Sequence, residues 1–363
     1  MISILVVGNG SASYDEHDFY INNHTGNFLI KLKKEFEGIV FCEYIGKKFN
    51  RDSNLQNFAL YENKIPFLKI ESKNIFYKVF SIINLFLFKK KAKLYHLFFP
   101  GTLGLAFAIL CIIFNRQFSI YLRGELNFEN KIIKYILKKA LFILTVSSVF
   151  VNKLKEINNN VSQIKPMISI TKKDLFYKRE FRKSVITNFL FVGRVEKQKG
   201  IYEIIDLASK LDDNKFNYVF HIVGGGEILE LLKNNQLKGE ISNNIKFHGL
   251  ISDTNKLTNL YKYSDIFILP THFEGFPRVL YEAMSHQLPI ITTMVGGISA
   301  IMIDEYNCIG VEAKNVKMLY HKVIRLMNDD RLRKYIGQNA VTTMEHIFEK
   351  DLISHEKLIS KYL

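Results

Sequence analysis

Short apolar runs alternate with helix-like segments from one end of this 363-residue chain to the other. Residues 2–7, 38–45, 93–99, 118–123 and 142–147 read as strands in the first half. Residues 188–192, 218–223, 244–250, 265–269 and 289–293 read as strands in the second. These runs are apolar almost without interruption, as strands covered on both faces must be. A strand that is followed each time by a helix returns to the same end before it pairs, so its neighbours are parallel. The expected class is therefore α/β, with two doubly wound parallel sheets. The length also favours two domains. The charged stretch 177–183 marks a break between an N-terminal domain, 1–180, and a C-terminal domain, 181–345. Residues 346–363 end in a further helix-like segment. Ligands of open parallel sheets bind at the carboxyl ends of the strands, so the expected site is a cleft between the two sheets.

Charge is unevenly spread. Residues 1–180 hold 27 Lys and Arg against 14 Asp and Glu, and residues 181–363 hold 23 against 21, within a net charge of +15. The halves therefore face different partners, or the first faces an anionic surface. Two features carry that second reading: the basic amphipathic stretch 131–141, and the lysines of 89–93 after the apolar run 80–88. Both could rest on anionic headgroups, or be ordinary helices with solvated lysines. The longest apolar runs, 80–88 and 103–114, fall short of the roughly 20 residues that a membrane span needs. The first residues read as a buried strand and not a signal peptide. Cys42, Cys111 and Cys308 form no C-x-x-C pair, which fits a reducing cytoplasm. No Asp-x-Asp and no His/carboxylate cluster of ligand spacing occurs, so no metal is expected.

Two segments concentrate chemistry. The first is Glu274-Gly275-Phe276-Pro277-Arg278-Val279-Leu280-Tyr281-Glu282, which follows the strand 265–269. Pro277 suits the first turn of a helix. Eight positions at about 1.5 Å rise separate the two carboxylates by roughly 12 Å. That spacing suits one extended ligand held at both ends and is too long for two carboxylates sharing one bond. The second is Gly193-Arg194-Val195-Glu196-Lys197-Gln198-Lys199-Gly200, at the end of the strand 188–192. A planar guanidinium and an ammonium near one point suit a diphosphate.

The first segment resembles the E-x7-E signature of the retaining glycosyltransferases of family four, and the second resembles their G-R-x4-K-G element. The resemblance implies the GT-B fold, two Rossmann-like domains facing a cleft, with 1–180 on the acceptor side and 181–345 on the donor side. It implies that 346–363 crosses back to the first domain. It also implies that Arg194 and Lys199 hold the donor diphosphate, that Glu274 meets the donor sugar with the amides of Gly275 and Phe276, and that Glu282 holds the ribose. Amides of Val279 and Leu280 would touch phosphate. Gly193 and Gly224 would line the nucleotide site, and the segment ending at Leu250 would pass the base. In the first half, Gly10 falls where the family has a flexible loop near the donor phosphates, and His96 where it has a histidine near the acceptor. Arg123 stands where many relatives carry His, with Glu125 as a further candidate; an arginine there suits an anionic group on donor or acceptor instead. Departures occur at Ser299-Ala300, where Pro-Glu is usual, and at Gln287 and Cys308, where Gly is common.

The implied activity is a retaining, metal-independent hexosyl transfer from a nucleoside-diphosphate sugar, UDP favoured over GDP, with no further cofactor. The implied acceptor is a carbohydrate or a polyprenyl-diphosphate-linked oligosaccharide. The setting would be bacterial surface polysaccharide or lipopolysaccharide synthesis, in the cytoplasm at the inner face of the membrane. Two other classes were weighed. An NAD-dependent oxidoreductase needs G-x-G-x-x-G, and Gly8-Asn9-Gly10 is followed by Ser13 where the third Gly belongs. A basic membrane- or nucleic-acid-binding protein without catalysis would need aromatic-rich recognition motifs to read RNA or DNA, and the chain lacks them.

Overall fold

The structure is a computed structural model that describes residues 2–48, 56–71, 75–88, 91–124, 126–168, 170–181, 185–275, 277–350 and 352–363. It divides into two compact units, one made of Met1–Met167 with Leu352–Leu363, the other of Ile168–Asp351. The chain has the GT-B fold expected of it, an α/β sheet in each unit.

Among the described residues of the first unit seven strands run parallel, in the order Phe67–Ile70, Ile39–Lys48, Ile2–Tyr14, Ala92–Phe99, Phe118–Leu122, Ile143–Thr145 and Val161–Gln163. Side chains alternate across a strand. Ile4 and Val6 therefore enter one core with Phe28, Leu94 and Phe98, while Leu5 and Val7 enter another with Leu97 and Phe107. Two strands, Phe19–Asn22 and Gln56–Ala59, are antiparallel and extend the far end of Ile2–Tyr14. This corrects the expectation of a purely parallel sheet. Asp15 accepts from the backbone of His17 and Asp18 at 2.8 Å each, and this tight turn sends the chain straight back beside itself. A second correction concerns Gly8 to Ser13, expected as a loop. The strand instead runs through to Tyr14, with a register shift against Ile39–Lys48 between Val7 and Ser11.

The second sheet is wholly parallel. Its order is Ile245–Gly249, Tyr218–Val223, Thr187–Val192, Ile266–Leu269, Ile290–Thr293 and Ile309–Val311. The strand that comes first in the chain lies in the middle. Successive strands add first on one side of it and then on the other, so the winding reverses between Thr187–Val192 and Ile266–Leu269, which pair at Phe189↔Ile266 and Leu190↔Phe267. Such a reversal leaves a crevice at the strand ends that ligands occupy.

The boundary lies between Met167 and Ile168, ahead of the expected 180, because residues that looked like a linker pack onto the second unit. Leu175 enters its core, Phe176 N–H donates to Ser285 O at 2.8 Å, and the Arg179 guanidinium donates to the carbonyls of His286, Ser264 and Tyr261. At the other end, helix His355–Tyr362 belongs to the first unit. Leu358 and Ile359 are buried in its core, and Tyr362 stacks on Phe142 at 4.3 Å.

Candidate active site

The tips of three strands in the second unit are tied through their backbones. Gly193 N–H donates to Val223 O at 3.0 Å, Val195 N–H to Gly225 O at 2.9 Å, and Gly224 N–H to Gly249 O at 2.8 Å. Gly224 has φ +142°, and a Cβ there would collide with the Gly193 carbonyl, so glycine is required. Across the winding reversal, the short turn Lys197–Lys199 ends at Gly200, φ +75°, whose missing side chain makes room for the Pro270 carbonyl. Thr271 Oγ1 and His272 N–H both donate to Gln198 O, at 3.0 and 2.8 Å. These contacts press the Lys199 turn against the loop after Ile266–Leu269. Lys199 Nζ there donates to the Glu274 carboxylate, and the two side chains are only 14% and 17% exposed. A third loop joins them, since Gly297 N–H donates to Glu274 O at 3.0 Å. The ends of both sequence motifs thus meet at the point where a parallel sheet binds its ligand.

The other expected donor residues lie around this pair with partners of their own. Arg194 is 63% exposed and pairs with Glu196 at 2.7 Å, not with Lys199. Glu282, on helix Arg278–Ser285, accepts from the Tyr261 hydroxyl at 2.7 Å, and burial pushes its carboxyl above the ordinary range. Leu250 is partly buried and lies against Gly225. Gly275 follows Glu274 in a bend, and Val279 packs on the core. Leu280 departs from expectation. Its N–H donates to Pro277 O at 3.1 Å and its side chain is fully buried, so this amide closes the helix start and is spent there. Phe276 and Glu125 lie outside the described residues. Gln287, where relatives carry Gly, has φ +56°, the left-handed backbone that explains why Gly is usual there. Among the described residues, no three His, Cys, Asp or Glu side chains gather as a metal site.

One pair escaped the sequence reading. Glu203, in the first turn of helix Ile201–Asp213, accepts from or pairs with His272 Nε2 at 2.6 Å. Its second oxygen, Oε2, is buried with no partner among the described residues. His272 lies two residues before Glu274, so this pair anchors the loop that presents the carboxylate.

In the first unit Gly10 and Arg123 come together around Asn9. Arg123 Nη1 donates to Asn9 Oδ1 at 3.3 Å, and the guanidinium lies 5.0 Å from the Phe98 ring. Gly10 N–H donates to Glu43 Oε1 at 2.7 Å, and burial raises this carboxyl to about 7. Glu43 was not foreseen; it sat inside an apolar strand run with no motif around it. His96 must be corrected. Its ring is fully enclosed, with Nδ1 2.8 Å from Ser119 Oγ and Nε2 2.9 Å from His355 Nε2. Burial lowers its pKa to about 3, so it stays neutral. It joins the C-terminal helix to the sheet and does not reach an acceptor.

Residues 178–343 match the family model described as glycosyl transferases group 1. An uncharacterized glycosyltransferase of Methanocaldococcus jannaschii is 30% identical over 292 residues, 73% of each chain. The chain belongs to the group 1 glycosyltransferases. The family model begins one residue before Arg179 and spans residues 193–282, where the expected donor residues of this glycosyltransferase lie. A second relative is the Escherichia coli UDP-Gal:alpha-D-GlcNAc-diphosphoundecaprenol alpha-1,3-galactosyltransferase, 30% identical over 191 residues, 52% of this chain and 48% of that one. The glycosyltransferase spans about half the length of several curated relatives it matches. Among solved structures, Anabaena HepE in complex with UDP and glucose superposes with a TM-score of 0.67 over 99% of both chains, at 15% identity.

Proposed function

We propose that this glycosyltransferase moves a hexose, with retention of anomeric configuration, from a UDP-sugar to a carbohydrate or polyprenyl-diphosphate-linked acceptor in surface polysaccharide synthesis at the inner face of the cytoplasmic membrane. The observation that carries the reading is the Lys199–Glu274 pair at the winding reversal of the second sheet. It sets a cation for the diphosphate directly beside an acceptor of hydroxyl hydrogen bonds. Arg194, exposed at the same loop, supplies the second cation once a diphosphate draws it from Glu196. Gly193 and Gly224 let the backbone approach the nucleotide, Leu250 borders the base, and Glu282 with Tyr261 faces the ribose. The bond from the anomeric carbon to the diphosphate oxygen breaks as the acceptor oxygen bonds the same face. The acceptor proton passes to the departing diphosphate. No protein nucleophile is required. Lys199, Arg194 and the start of helix Arg278–Ser285 neutralise the leaving group in place of a metal.

Two names support the donor and acceptor. The Escherichia coli relative uses UDP-Gal and a diphosphoundecaprenol-linked sugar, and HepE holds UDP. Arg123 in the first unit, beside Asn9, offers a cation for an anionic group, while the Gly10 amide is taken by Glu43. Calorimetry with UDP and GDP tests the reading. UDP should bind and Lys199→Ala should lose about tenfold or more of that affinity, one charge-assisted contact being worth about 1.5–3 kcal/mol. Unchanged UDP binding in that variant would remove the assignment. The anomeric configuration of the product, read by NMR, tests retention separately.

A further inference from the structure

Helix Ile75–Phe88 of the first unit is apolar on both sides. Ile82, Leu85 and Phe86 face the core, which accounts for one side. On the other, Phe76, Phe80, Ile83 and Leu87 recur at spacings of four, three and four, which is a single outward stripe. Phe76 is 75% exposed and Phe80 59%. Its polar side chains, Lys78, Ser81 and Asn84, recur at spacings of three along a third side, so the outer stripe is apolar without being needed for the core. The neighbouring helices expose apolar side chains of their own. Helix Thr102–Ile113 packs alongside, with Phe114 against Phe86 at 5.6 Å, and exposes Ile113 at 67%. Helix Lys131–Lys139 packs next to that one and exposes Ile132.

We propose that this three-helix face docks the protein on a bilayer surface rich in anionic lipid. Charge selects the occupant. Lys131, Lys138 and Lys139 are exposed on the helix that carries Ile132, as are Lys91 and Lys93 beyond the first helix. Lys134 is answered by Glu129 at 3.4 Å. Aromatic and aliphatic side chains flanked by lysines match the acyl boundary below a negative headgroup layer. A protein partner would have to supply a large apolar surface and an acidic rim together. No helix among the described residues is long and apolar enough to cross a membrane, so the face lies on the surface. The proposal stands on exposure and charge alone, and vesicle binding is read without sugar transfer, so its failure leaves the donor site as argued.

The test is co-sedimentation of the full chain with vesicles of phosphatidylcholine, with and without phosphatidylglycerol, at low and high salt. The expected result is binding that needs phosphatidylglycerol and weakens with salt. F76E/F80E should lower the partition coefficient by at least about tenfold, and K131A/K138A by about fivefold per lysine. Circular dichroism and UDP binding should be unchanged in both variants. Absence of vesicle binding, equal binding to pure phosphatidylcholine, or wild-type partition in F76E/F80E would each overturn the proposal. So would a dimer that F76E/F80E dissociates and that ignores vesicles, since the stripe would then be covered by a second copy.

Discussion

Glu274→Gln should make UDP bind more tightly while transfer declines. The Lys199 ammonium is held by the Glu274 carboxylate, with both side chains over four-fifths buried. A diphosphate must draw Lys199 away from that carboxylate or share it. UDP has no sugar for Glu274 to hold, so Glu274 acts on UDP binding only through Lys199. Fully exposed pairs are worth about 0–1 kcal/mol, removing one partner of a fully buried pair costs about 3–5 kcal/mol by leaving a charge unpaired, and this partly solvated pair lies between. A value of about 1–2 kcal/mol corresponds to a fivefold to thirtyfold tighter UDP Kd in Glu274→Gln. Lys199→Ala should bind UDP at least about tenfold more weakly. The double variant should match Lys199→Ala, because removing the carboxylate has no effect once the ammonium is gone. Isothermal titration calorimetry of the four proteins measures this cycle at fixed salt. Transfer from the intact donor should drop in Glu274→Gln by about tenfold or more, since the sugar loses its acceptor. If Glu274→Gln binds UDP more weakly than wild type, or if the two substitutions add independently, Lys199 is not the diphosphate cation and the reasoning is refuted.

Three other outcomes follow from the geometry. The folded Glu43 carboxyl keeps its proton up to about pH 7 where the unfolded chain releases it near 4.5, so its penalty is absent below 4.5 and complete above 7. The first unit should therefore lose about 3 kcal/mol of stability across that window, and Glu43→Gln should flatten the loss in urea titrations at pH 5 and 8. Glu203→Gln should reduce kcat by about tenfold with UDP affinity nearly unchanged, because the His272 anchor of the Glu274 loop slackens while Lys199 stays; an equal fall in UDP affinity would contradict this. Chelation by EDTA should leave the transfer rate unaltered, as expected if Arg194 and Lys199 neutralise the leaving diphosphate; a rate restored only by added magnesium or manganese would count against them.

The parallel sheets were legible because buried strands carry apolar runs that need no partner to be seen. Residues 218–223 fall on the observed strand Tyr218–Val223, and the other nine runs overlap observed strands. Strands such as Phe19–Asn22 and Gln56–Ala59 were not legible, because they are four residues long and depend on a polar turn at Asp15. Lys199 and Glu274 could be named from motif spacing, but not their contact, which depends on Gly200 yielding space to Pro270. Glu203 and His272 lie 69 positions apart, and each read alone as an ordinary helix or loop residue. His96 is the instructive error. Leu94 and Phe98 on its own face, with Tyr95 and Leu97 on the other, announced a strand covered on both faces, and a histidine in such a strand is enclosed, not presented. Its partner, His355, is 259 positions away and could not be inferred.

The return of the last twelve residues to the first unit has a practical side. The second unit is an insertion, joined to the rest at both its beginning and its end. Cutting the chain once near Met167 would leave helix His355–Tyr362 on the second fragment, held to the first by packing alone. Shortening it at 351 would strip Leu358, Ile359 and Tyr362 from the first unit and leave His96 without its imidazole neighbour. Residues that follow the second unit in the chain thus carry the integrity of the first, and a fusion placed directly after Tyr362 presses on the first unit, not the second.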